Sequence, residues 1–150
     1  MRSFTLVLAL VLCSFAALSQ KTSAPRINHI ALYTQNLEKS TRFYRDLLGL
    51  DTIPEPFHDG KHTWFTIGSG GAALHLIEGL GAPVDQNKNT HLCFSVPQLQ
   101  PLISKLSAAG VPYEDWPGKS SSITTRIDGV HQIYFKDLDG HWLEVNDEQK

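Results

Sequence analysis

Disulfides are the first thing this sequence lacks. Its only two cysteines are Cys13 and Cys93, and Cys13 falls in an amino-terminal stretch, Met1 to Ser19, built like a secretory leader. Arg2 is a short basic region, Phe4 to Leu12 is apolar apart from Thr5, and Ala17-Leu18-Ser19 is a small-x-small cleavage site. Leu12 is too large for the residue that precedes a lipidated cysteine. Loss of the leader leaves Cys93 alone, and an exported chain with one thiol has no internal disulfide, so packing or a bound metal must stabilise it. A long apolar run is also missing. The stretch to Leu12 is shorter than the about 20 residues that a membrane-spanning helix needs, so no span is expected once the leader is gone. Nor is there an excess of positive charge: without Arg2, 12 of the 13 Lys and Arg residues face 15 Asp and Glu, a formal charge of −3. That balance gives no reason to expect a nucleic-acid partner. An exported protein, periplasmic or secreted, of about 130 residues is expected, the size of a single core.

What is present is a repeat. At a constant offset of 69 residues, Trp64 to Leu76 matches Ile133 to Val145 without a gap, each a strand, a Gly-centred turn and a second strand. Gly71 and Gly140 coincide, as hairpin-turn glycines with positive φ should, and His75 falls opposite Glu144. The rest of the chain repeats around these hairpins. Ile27 to Tyr33 reads as a strand, Asn36 as an N-cap, Leu37 to Leu47 as a helix that Gly49 ends, and Leu50 to Ile53 as a strand stopped by Pro54. After a linker over 80–88, Thr90 to Val96 is a strand, Leu99 to Ala109 a helix closed by Gly110, and Tyr113 to Trp116 a short strand. An offset of 62 places His91 on His29 and Leu99 on Leu37. Two βαβββ modules follow, 26–79 and 89–147, within one domain over 26–147.

Two kinds of position therefore carry a potential ligand twice: His29 and His91 on a module's first strand, His75 and Glu144 on its last. By the strand period of two, His29 shares a face with Ile27 and Ala31, and His75 with Ala73 and Ile77. A lone histidine on such a face is more often a hydrogen-bonded core residue than a ligand. Glu144 shifts that balance, because a carboxylate between Leu143 and Val145 is costly unless paired or coordinated. If first and last strands are neighbours, each module presents a pair, and two facing pairs make a three- or four-ligand metal site. His58 and His62 read as solvated or substrate-facing, and His131 and His141 as surface. Asp137 and Asp139 are turn-formers; Asp-x-Asp-Gly also begins a calcium loop, but Glu144 comes too early to complete one.

The sequence resembles a known family at Asn28-His29-Ile30-Ala31-Leu32, at Phe43-Tyr44-Arg45-Asp46-Leu47-Leu48-Gly49-Leu50, and at Phe135-Lys136-Asp137-Leu138-Asp139-Gly140-His141-Trp142-Leu143-Glu144-Val145. These stretches are similar to the vicinal oxygen chelate superfamily, which includes glyoxalase I, fosfomycin-resistance transferases, extradiol dioxygenases and bleomycin-resistance proteins. The resemblance implies an α+β fold in which tandem βαβββ modules form a half-barrel around a metal site. It also implies a homodimer, a divalent ion (Zn, Fe, Mn, Ni or Co) and metal positions at His29, His75, His91 and Glu144. His75 stands where glyoxalase I has a second glutamate, which leaves Glu144 as the one carboxylate available as catalytic base. The expected function is a metal-dependent enzyme of lyase, isomerase or dioxygenase type acting on a small oxygen-rich substrate, with Arg126 and Tyr134 as substrate contacts. The alternative is a non-catalytic binding protein of the bleomycin-resistance type.

Overall fold

The structure is a computed structural model that describes residues 24–149, so the leader expected over Met1 to Ser19 lies outside the described residues. β1 (His29–Thr34) leads into α1 (Leu37–Arg42), which runs directly into a π-helical turn over Phe43–Leu47. The Asn36 side chain accepts from the Lys39 amide at 2.9 Å and caps α1 as its position suggests. β2 (Thr52–Ile53), β3 (His62–Ile67) and β4 (Ala72–Glu78) follow. The second half holds β5 (His91–Ser95), α2 (Leu99–Ala108), β6 (Thr124–Thr125), β7 (His131–Lys136) and β8 (Trp142–Asn146). The short strand expected over Tyr113 to Trp116 is reduced to bridges at Glu114, and Thr124–Thr125 takes the sheet edge instead.

Each half forms its own mixed four-stranded sheet, in the orders β1-β4-β3-β2 and β5-β8-β7-β6. First and last strands are parallel neighbours in both, β1 with β4 and β5 with β8. One face of each sheet is apolar by the period of two: Phe65, Leu74 and Leu76 in the first, Ile133, Phe135, Leu143 and Val145 in the second. These pack into one cluster with Tyr44, Leu47 and the buried stripe Leu99, Leu102, Ile103 and Leu106 of α2, whose spacing is that of one helix face. The opposite faces carry the candidate ligands.

The repeat is not gapless in space. The equivalent pairs Thr66–Ala73 and Lys136–Trp142 enclose six and five residues, so the second hairpin is one residue shorter. The missing residue shifts β7 by one, so the counterpart of Trp64 is Tyr134 and that of Phe65 is Phe135. His75 and Glu144 remain equivalent because they follow the turns.

The second turn also joins the halves. Asp137 Oδ1 accepts from the amides of Asp139 and His141, both at 2.9 Å, which is the turn-forming role expected of it. Its Oδ2 accepts from Tyr44 Oη at 2.7 Å, and Asp139 accepts from Ser40 Oγ and the Gln35 amide, each at 2.8 Å. His141, expected at the surface, is 7 % exposed and donates from Nε2 to the Tyr33 carbonyl at 2.9 Å. The sequence pattern places it just past a turn, and only docking of the first half buries it. At Gly140 (φ 91°) a side chain would meet the Val84 carbonyl oxygen at 2.4 Å, so glycine also lets the linker close on the turn.

Replacing Tyr44 by Phe should cost about 2 kcal/mol, since it strips a buried carboxylate of one donor while keeping the ring. Urea denaturation measures this; a loss below about 0.5 kcal/mol would mean that the turn is not the clasp between the halves.

Candidate metal centre

The parallel ladder between β5 and β8 sets Cys93 opposite Glu144 and His91 opposite Trp142, all on the open face of the second sheet. His91 Nδ1 lies 2.7 Å from the Lys88 carbonyl oxygen. A carbonyl only accepts, so Nδ1 carries the proton and Nε2 offers its lone pair in the neutral ring. That lone pair faces Glu144 Oε2 at 3.3 Å. Two bonds of about 2.1 Å meeting at 90–110° separate their donor atoms by about 3.0–3.4 Å, so one divalent ion fits between these two atoms without rearrangement. The hydrogen bond from the far nitrogen is the orienting contact that metal-bound histidines usually have.

Glu144 is 8 % exposed and its carboxylate is held from every side. Tyr134 Oη donates to Oε2 at 2.6 Å, and Asn146 Nδ2 and Cys93 Sγ donate to Oε1 at 3.0 and 3.3 Å. Burial pushes its pKa up, but the donors Tyr134, Asn146 and Cys93 and the nearby His91 outweigh that and hold it below its ordinary value. Tyr134 moves the other way: burial and the adjacent Glu144 raise its phenol well above 10, so it stays a donor. Gln132 in turn bonds the Tyr134 oxygen. Tyr134 thus supports the carboxylate directly.

Lys88 ties this pair to the loop before β6. Its carbonyl fixes His91, and its ammonium lies 5.5 and 5.1 Å from the ring centroids of Tyr134 and Trp142. The same ammonium donates to the carbonyls of Asp115 and Trp116 and pairs with Glu114. Arg126, expected at the substrate, pairs with Asp128 and Glu148.

The first sheet carries the other pair. His29 Nδ1 is 3.0 Å from Asn28 Oδ1, which likewise leaves Nε2 free. His29 and His75 stack at 4.3 Å with planes 8° apart, and His75 stacks on Trp64 at 4.0 Å and 2°. His29, His75 and Trp64 line an open cleft of about 580 Å³ with Ile53, Phe57 and Ile77. Each sheet therefore brings its two candidate ligands together, but one chain does not bring the two pairs together: among the described residues no group of three or more His, Cys, Asp and Glu side chains is placed to hold an ion. Of the remaining histidines, His58 is in a loop with φ 51°, His62 bonds Asp59 and His131 bonds Asp147.

The sequence model of the Glyoxalase/Bleomycin resistance protein/Dioxygenase superfamily matches residues 26–145. The chain belongs to this superfamily. It is 32 % identical over 123 residues to the metallothiol transferase FosB of Shouchella clausii (strain KSM-K16), covering 80 % of this chain and 78 % of that one. Against the glutathione transferase FosA of Serratia marcescens it is 31 % identical over 123 residues, covering 80 % of this chain and 79 % of that one. Among solved structures it is similar to the oxidase ChaP-H2, with a TM-score of 0.70 and 26 % identity over 85 % of this chain and 96 % of that one. The glyoxalase-like α+β fold expected from the sequence is the observed one, and the chain is an enzyme of a family that works with divalent metal ions.

Sequence reasoning missed Asn146, Cys93 and Lys88. The first two were within reach, since the period of two puts Asn146 on the face of Glu144 and Cys93 on the face of His91. Lys88 sits in an Asn-rich linker where a lysine reads as solvated, and no local signal marks it.

Burial, with the charge and hydrogen bond of Glu144 next, pushes the Cys93 thiol up to about 12. In metal-free protein, alkylation of Cys93 at pH 8 should run at least about tenfold slower than that of a free thiol, because the thiolate is the nucleophile. Glu144→Gln should speed it. An alkylation rate equal in both proteins would show that Glu144 does not govern the thiol.

Proposed function

We propose that the protein is an exported metal-dependent enzyme that binds a small substrate through two neighbouring oxygens, its ion held by His91 and Glu144 of one subunit and His29 of a second copy. The His91 Nε2 to Glu144 Oε2 separation of 3.3 Å, with both far sides anchored, carries this reading. The shared site is supported by the two open faces, each with half a ligand set, and by the exposed apolar residues Tyr33 and Ile53 of the first sheet and Phe57 of the loop between β2 and β3. A C2 dimer places the same two faces against each other twice. The leader read in Met1 to Ser19 supports export.

A bound divalent ion acts as a Lewis acid, withdrawing charge from substrate oxygen. The chain's own groups do the rest. Glu144 supplies the negative charge opposite the cation, Tyr134 and Asn146 keep that carboxylate oriented, and the Lys88 carbonyl holds His91 in the ligating tautomer. Among the reactions open to such a site, thiol addition is favoured by the relatives named metallothiol transferase and glutathione transferase, at 31–32 % identity. Incubation of metal-loaded protein with a thiol and a small epoxide tests it: thioether formation that requires the metal is expected, and turnover of vicinal diketones or catechols without thiol would replace transfer by isomerase or dioxygenase chemistry.

Glu144→Gln should abolish metal retention on dialysis, because it removes the carboxylate charge that faces the cation at a site where solvent does little to replace it. Mixing unfolded His29→Ala and Glu144→Gln chains and refolding them should restore about one quarter of the wild-type metal content, since half the dimers are mixed and each mixed dimer rebuilds one of two sites. Recovery of none, with mixed dimers present, would place each site within one subunit.

A further inference from the structure

Three histidines of the candidate centre differ in one respect. His29 and His91 each anchor Nδ1 on an acceptor, Asn28 Oδ1 and the Lys88 carbonyl. His75 makes no hydrogen bond among the described residues; its contacts are two rings, Trp64 on one face and His29 on the other. Metal-bound histidines almost always donate their other nitrogen to an acceptor that fixes the ring, and His75 lacks one. The stack also opposes shared ligation. An imidazole lone pair lies in the ring plane, and two overlapping planes only 8° apart do not meet within a bond length of either ring. An ion on His29 therefore lies outside the plane of His75.

Trp64 shows the same priority of packing over polar contact. Its indole Nε1 is buried without a hydrogen-bond partner among the described residues, although buried tryptophans usually find one. The ring is set by the stack and not by a donor contact. β-Sheet register accounts for the row: Trp64 and His75 are direct partners across β3 and β4, and His75 lies opposite Ala31, two residues beyond His29, across β4 and β1. Small Ala31 and Ala73 leave the space into which the His29 and His75 rings lean together.

We infer that His75 and Trp64 are positioning residues that hold the His29 ring for ligation by stacking, and that His75 is not itself a metal ligand. This rests on the reading of His29 as a ligand. Asn28 fixes the tautomer of His29 and one edge of its ring, and the stack holds the face of the ring, which on an exposed strand end a single hydrogen bond leaves free to swing. In the second sheet Tyr134 holds Glu144 from the position equivalent to Trp64. Both modules thus place an aromatic residue of the third strand against the candidate ligand pair, by ring stacking in one and by a hydroxyl in the other.

The test uses the full chain after leader removal, loaded with Zn²⁺ for affinity against a competing chelator and with Co²⁺ for its visible spectrum. His75→Phe keeps a flat ring and removes both nitrogens; it should bind Zn²⁺ within about threefold of wild type, with an unchanged Co²⁺ spectrum. His75→Ala should lose about tenfold to a hundredfold, the range seen when the groups that orient a ligand are removed. Trp64→Leu, which leaves every imidazole nitrogen in place, should weaken binding several-fold and serves if His75→Phe does not fold. Equal losses in His75→Phe and His75→Ala with an altered Co²⁺ spectrum would make His75 a ligand, and wild-type affinity in His75→Ala or Trp64→Leu would leave the stack without a role; either result overturns the inference. His29→Ala is measured alongside. Wild-type affinity there removes the proposed ligand set and the inference with it, whereas a loss there combined with either of the two results above overturns the inference alone.

Discussion

Parallel pairing of first and last strand is the constraint on which the centre depends. A βαβββ module without it would keep its core, because the apolar faces of β3, β4, β7 and β8 would still find the helices, but the ligand types would sit on separate edges. With it, β1 lies beside β4 and β5 beside β8, and each histidine on a first strand comes within side-chain reach of the second candidate on the last. Parallel strands need a long crossover between them. Here the helix and two more strands supply it, so local packing throughout a module is what holds two ligands a few ångströms apart.

The two pairs built this way are electrostatically unlike. His91 and Glu144 combine a neutral donor with a carboxylate whose charge is kept by four neighbours in a mostly buried place. His29 and His75 carry no opposite charge, and burial together with His29 and His62 lowers the His75 pKa, so a second positive ring is disfavoured in the stack. A divalent cation held as proposed would gain most from the charged pair and would take only a neutral donor from the other. This division explains why the second sheet is wrapped in polar supports, Tyr134, Asn146, Gln132 and Lys88, while the first is wrapped in rings.

Much of this was legible in sequence because it obeys simple periods. Repeat-equivalent ligand types, the N-cap at Asn36 and the closing glycines Gly49 and Gly110 follow from local rules, and the structure has each of them; the adjacency of first and last strands, only a condition in the sequence reading, is met in both sheets. What escaped was non-local or smaller than the pattern. One residue fewer in the second hairpin shifted β7, so Tyr134 read as the counterpart of Phe65 when it is the counterpart of Trp64. His141 and Asp139 looked like turn residues because their burial comes from the other half of the chain. The stacking of His75 depends on side-chain directions across three strands, which a linear period cannot contain.

The turn Asp137 to His141 connects these observations, because it fixes the two halves relative to each other through the same hairpin that carries Glu144. Tyr44, Ser40 and Gln35 reach it from the first half and Val84 from the linker. The clasp fixes the turn that leads into β8, and with it the strand that carries Glu144. Swinging one half against the other, as joining both ligand pairs within one chain would require, would break these hydrogen bonds, and those to a charged carboxylate are worth about 1.5–3 kcal/mol each. A second copy presented to each open face would ask for no such break, and that difference is why the proposed centre is drawn from two chains.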